Sequence, residues 1–128
     1  MKKETKLWLD HAKEDLKNLE VMWTAHRYGP TAFYCQQAVE KIIKAIIVEK
    51  KNQAPRKSHD LLRLLEDSGL LDDFPKEWVP ELKEMSRHYF RVRYPDLSKK
   101  FYSRREAVKK MLTIAKEIYS WFLKKLKK

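Results

Sequence analysis

Apolar residues return every three or four positions along most of this chain, the spacing of helices that each bury one face. Leu9, Ala12, Leu16, Leu19 and Trp23 predict a first helix from about Lys3 to Ala25. Tyr28-Gly29-Pro30 closes it, because Gly29 suits a left-handed cap and Pro30 cannot continue a helix but can open the next. A second helix follows from about Thr31 to Lys50. Ala32, Cys35, Val39, Ile42, Ile43 and Ile46 form its apolar face, while Lys41, Lys44, Glu49 and Lys50 sit largely off it, so burial is expected on one side.

The stretch from Lys51 to Lys57 is polar and contains Pro55, hence a loop. Ser58 is placed to cap a short helix from His59 to Ser68, stopped by Gly69, with Leu61, Leu62, Leu64 and Leu65 seated on the core. Pro75 and Pro80 restrict Phe74 to Val79 to an irregular or one-turn entry. Leu82, Met85, Tyr89 and Val92 then keep helical spacing up to Tyr94-Pro95, where the residue before proline leaves the α region. Ser103 to Glu106 reads as a capping box. It opens a long last helix through Val108, Met111, Leu112, Ala115, Ile118, Tyr119 and Phe122. The predicted fold is all-α, an antiparallel up-and-down bundle of four to five helices in one domain spanning residues 1–128.

Composition agrees with this. The 128 residues include only two glycines, Gly29 and Gly69, too few for a chain of tight β-turns or for a phosphate-cradling loop. A hydrophobic share of 43% is enough for a packed core, so disorder is not expected. No apolar run approaches the ~20 residues that span a bilayer, and no membrane partner is expected. With Cys35 as its one cysteine and no signal segment at its start, the chain reads as cytosolic. Many charges and few amides lean towards a thermophile.

Charge changes the picture more. The formal net charge is +11, and it is uneven. From Lys83 to Lys110 ten Lys or Arg face three acidic residues, whereas Asp60 to Glu81 holds two basic and seven acidic residues. Such a basic end favours phosphates, polyanions or an acidic protein partner. A solvated helix face would account for it equally well.

The candidate chemistry is narrow. His11, His26, His59 and His88 fall in four separate segments with no metal-ligand spacing, so neither a metal nor another cofactor is expected. Cys35 lies on the apolar stripe and reads as a buried structural thiol. Between Arg87 and Asp96, Arg87 and Arg91 share a helix face, and Arg93, Tyr94 and Asp96 sit at the helix exit. Arginine forks suit phosphates and tyrosine can stack on a base. Alternatively, Asp96 pairs with Arg93 and closes the turn.

Three segments together resemble the HEPN family, the higher eukaryotes and prokaryotes nucleotide-binding domain. They are Ala32 to Ala45 with its Gln36-Gln37-Ala38-Val39-Glu40-Lys41 core, Ser58-His59-Asp60-Leu61, and Arg93-Tyr94-Pro95-Asp96. The resemblance implies a dimerising helical bundle with functional residues near the dimer cleft, acting on nucleotides or RNA, in some members beside a minimal nucleotidyltransferase. Carried onto this chain, it implies that Arg93 and Lys44 bind phosphate, Tyr94 stacks and Asp96 orients Arg93, with His59 and Lys41 lining the same cleft. Ribonuclease members carry an arginine followed four to six residues on by a histidine. Here no arginine stands in that relation to any histidine, and none of the histidines follows Arg93. The expectation is therefore a binding domain rather than an enzyme, with a ribonuclease toxin of non-standard site or a purely protein-binding module as alternatives.

Overall fold

A computed structural model describes residues 1–94, 102 and 104–128, and these are helical with no strand among them. The elements are α1 (Lys3–Thr24), α2 (Tyr28–Lys51), α3 (Leu61–Ser68), a 3-10 turn (Lys76–Trp78), α4 (Val79–Ser86), α5 (His88–Arg91) and α6 (Arg105–Lys127). The long helices α1, α2 and α6 make the antiparallel bundle, and α3, α4 and α5 also pack against α2.

The α1–α2 link is tighter than the glycine and proline suggested. Gly29 and Pro30 lie inside the first turn of α2, and it is His26 that takes positive φ, at 60°. Proline is at home there, because the first helical amides have no intrahelical acceptor to lose. At the far end Lys2 Nζ donates to Val48 O (2.9 Å), Glu49 O (3.2 Å) and Asn52 Oδ1 (2.8 Å). A cation on the last carbonyls of α2 is favourable and ties the start of α1 to the end of α2.

Burial of α2 exceeds the single stripe expected. From Ala38 to Val48 every residue except Lys41 is buried, because α1, α3, α5 and α6 enclose the helix from different sides. Ile42, Ile43, Ile46 and Ile47 are fully buried, each worth about 1.5–3 kcal/mol of transfer free energy. The surprise lies in the polar residues carried in with them, Gln36, Glu40 and Lys44.

Two local predictions shift. The cap of α3 is Asp60, whose side chain accepts from the Leu62 and Arg63 amides, while Ser58 Oγ accepts from Asp60 N–H at 3.1 Å. Gly69 closes α3 at φ 79°, as expected. The predicted fourth helix is broken at Arg87 into α4 and α5. Ser86 stands at the break: its hydroxyl donates back to Leu82 O (3.2 Å) and accepts from Leu61 N–H (2.9 Å), tying this helix to the start of α3. Ser103 of the predicted capping box, and Asp96, lie outside the described residues.

Replacing Asp60 by Ala removes an N-cap and should cost about 1 kcal/mol in urea denaturation, with Ser58→Ala costing less.

Candidate functional site

Three buried polar residues of α2, Gln36, Glu40 and Lys44, form one i, i+4, i+8 stripe that meets the His59 segment before α3. Glu40 is the centre. Its Oε1 accepts from Gln36 Nε2 (2.9 Å) and lies 2.8 Å from His59 Nδ1, and its Oε2 accepts from Lys44 Nζ (3.0 Å). Gln36 Nε2 also donates to His59 O at 3.0 Å, so α2 grips both the backbone and the ring of His59. Lys44 stands over the Trp8 ring of α1, 5.3 Å from its centroid.

Tyr89 of α5 packs onto this group. The His59 and Tyr89 rings stack with centroids 3.4 Å apart and an interplanar angle of 13°. The Arg93 guanidinium lies 4.2 Å from the Tyr89 centroid and 5.5 Å from that of Phe33. Two groups this close to one ring cannot share a face, so Tyr89 is sandwiched between His59 and Arg93. Phe90 meets Tyr89 edge-on and is itself exposed. The result is a buried carboxylate supporting an imidazole, an aromatic layer and an outward cation.

The predicted site residues other than Asp96 can now be placed. His59 and Arg93 are brought together, though not by adjacency in sequence. Lys44 is 6% exposed and paired with Glu40, so it faces inward. Lys41 pairs with Asp15 of α1 at 2.6 Å. Burial raises the Asp15 carboxyl above its ordinary value, even with Lys41 and His11 pulling it down. Arg87 and Arg91 share one carboxylate, Glu84, at 2.8 and 2.7 Å. Partial burial pushes that carboxyl up, but the Arg91 hydrogen bond and both arginine charges outweigh it and hold it below its ordinary value. Tyr94 is exposed beside Arg93.

The remaining titratable groups are structural. Cys35 is fully buried, and burial pushes its thiol up to about 12, which leaves no thiolate for nucleophilic work. His88 is also fully buried, with Nδ1 2.8 Å from the Tyr102 hydroxyl. Among the described residues no three His, Cys, Asp or Glu side chains are placed to hold a metal ion.

Sequence reasoning missed Gln36, Glu40, Phe33 and Tyr89 as members of the site. The signal was present: Gln36, Glu40 and Lys44 sit four apart on one face of a helix rich in apolar residues, and Tyr89 and Arg93 are also four apart.

A closed bundle around a polar stripe on its central helix defines the class of protein. The family model of the HEPN domain matches residues 5–126, and the chain belongs to this family. It is 27% identical over 101 residues to a Methanocaldococcus jannaschii protein named "Putative toxin MJ1304", a match covering 73% of this chain and 65% of that protein. The match thus spans less than two thirds of that relative. The crystal structure of TT1696 from Thermus thermophilus has the same fold, with a TM-score of 0.82 at 24% identity, over 97% of this chain and 99% of that one.

Two outcomes test this electrostatic reading. Glu40→Met strands the Lys44 charge and should cost roughly 3 kcal/mol in chemical denaturation, whereas Glu40→Met with Lys44→Met should recover most of it. Burial also pushes His88 down from 6.5 to about 4, with Arg91 adding to the effect. Between those two values the unfolded chain takes up a proton that the folded chain refuses. Stability should therefore fall by about 3 kcal/mol as pH drops through that window, and the fall should shrink in His88→Gln.

Proposed function

We propose that this chain binds nucleotide or RNA phosphates at the Arg93 edge of the site. In this reading it works beside a minimal nucleotidyltransferase partner in a toxin-antitoxin type system, as a cytoplasmic homodimer. The observation that carries the reading is Arg93 itself. Its exposed guanidinium has no carboxylate partner among the described residues, yet Tyr89 and Phe33 hold it in place. An arginine fork already ordered by stacking loses little freedom when it takes a phosphate. Phe90 and Tyr94, exposed beside it, offer faces on which a base can stack.

Lys44 and Lys41 act at one remove in this reading. By balancing Glu40 and Asp15 they keep two carboxylates from repelling an incoming phosphate. Arg87 and Arg91 add to the positive field, and Asp96 would orient Arg93 from the segment that follows. The named toxin among the relatives supports the toxin-type role.

One observation favours RNA cleavage as a second reading. A carboxylate-held imidazole with an arginine across Tyr89 has the composition of a general acid-base group with a phosphate-stabilising cation, even without the family's usual spacing. Incubation of the purified protein with total RNA separates the two: cleavage by the wild type that is lost in His59→Gln would make the chain an enzyme.

For the binding reading, ATP, GTP or short RNAs should raise the melting temperature in low salt. Arg93→Ala should weaken binding about tenfold or more, and Arg93→Lys should recover only part of that. No binding by any of these ligands at micromolar concentration would overturn it.

A further inference from the structure

We infer that the groove between α1 and α6 is a docking surface for an acidic, amphipathic helix of a partner protein. This goes beyond the phosphate-binding reading and does not depend on it. α1 and α6 each pack along α2 and much less on each other, so a furrow runs between them. Leu16, Glu20, Lys116, Tyr119 and Ser120 line a cavity of about 300 Å³ there, and none of them belongs to the His59 and Arg93 site. Glu20 bridges the two helices by an ion pair to Lys116.

The floor of the furrow carries an unmet donor. Tyr119 is 5% exposed and its hydroxyl is buried, yet no group among the described residues pairs with it. Burial raises that hydroxyl above its ordinary value, so it stays protonated and keeps a hydrogen to give. A buried donor without a partner is costly, and an incoming acceptor removes the cost.

The rims carry unmet charge. Lys13 and Lys17 share one face of α1 with Leu16 and Glu20, at i, i+3, i+4 and i+7 spacing. On α6, Lys109, Lys116 and Lys127 share a face with Tyr119, Ser120 and Leu123. All five lysines are exposed, and among the described residues only Lys116 of the five has an ion pair. Leu16 and Leu123 lie partly buried between them.

An apolar floor between cationic rims fits a helix whose apolar stripe is flanked by carboxylates. A nucleic acid fits less well, because the ring that lines the cavity, Tyr119, is buried and offers no face on which a base can stack. A lipid surface also fits less well, since the leucines are recessed and the lysines stand out. In the docked state carboxylates meet Lys13, Lys17, Lys109 and Lys127. An aliphatic side chain lies on Leu16 and Leu123, and a side-chain oxygen accepts from Tyr119.

Fluorescence anisotropy of the whole chain with two labelled peptides of identical composition, rich in Glu and Leu with one Gln, tests this at low salt. One peptide places its Leu and Gln on a single helical stripe, and the other is scrambled. The stripe peptide should bind about tenfold tighter or more. Lys13→Glu with Lys17→Glu, both at exposed positions, should weaken its binding about tenfold and flatten its salt dependence. Tyr119→Phe should weaken it about threefold while the Tm of the free chain holds or rises, whereas a merely structural hydroxyl would lower the Tm and leave binding alone. Equal binding of the two peptides, or indifference to either variant, would overturn the assignment, and the comparison of peptides needs no variant to fold. Loss of oligouridylate binding in the lysine variant with peptide binding intact would give the groove to nucleic acid. A dimer in sedimentation that this variant dissolves, again with peptide binding intact, would give it to a second copy. Either result overturns the inference.

Discussion

Glu40 places a carboxylate in the middle of the helix that every other α-helix packs against, and a charge there must be matched on the spot. Gln36, Lys44 and His59 do this, each from a position that the bundle has to hold to within a few tenths of an ångström. A buried ion pair is weak as a source of stability, because removing two charges from water costs about as much as their attraction returns. What such a pair does provide is a single allowed arrangement. Lys44 cannot rotate away, His59 cannot flip its ring, and the entry to α3 cannot slide along α2 without leaving a charge unpaired.

The surface chemistry follows from that interior constraint. Ser86 ties this helix to the start of α3, Tyr89 lies on His59, and Arg93 lies on Tyr89 one helical turn further along the chain. Order is thus passed outward from a buried carboxylate to an imidazole, to a phenol ring, to a guanidinium. Each step gives up flexibility that an isolated side chain would keep, so the outermost group meets a ligand already aimed. The same chain of contacts explains why the basic excess is not uniform in consequence. Lys41, Lys44, Arg87 and Arg91 all have carboxylate partners, whereas Arg93 is held by aromatic rings and keeps its hydrogen-bonding edge.

Membership of the HEPN family fixes the scaffold, not the chemistry, since one fold carries sites of different kinds. Here the family's ribonuclease spacing is missing, yet an arginine and a histidine still arrive on one tyrosine. They come from positions more than thirty residues apart, His59 before α3 and Arg93 after α5. Contact through the fold replaces contact along the chain.

The sequence by itself determined the helices, the bundle and the family, because these depend on periodicity and on a short run of residues that are neighbours in the chain. Leu9 to Trp23 and Val108 to Phe122 could be read as amphipathic faces with no knowledge of what they touch. Helix boundaries were less secure where a side chain with distant partners decided them. Ser86, at the break between α4 and α5, accepts from the Leu61 amide, a partner twenty-five residues away. Lys44 looked like a solvated cation off the apolar face, and only the enclosure of α2 from several sides turned it inward. Which charges stay paired, which nitrogen of His59 faces out and which arginine is left with an open fork are properties of groups far apart in sequence. They exist only once the tertiary structure has brought those groups together, since burial and distance, not residue type, set the strength of each interaction.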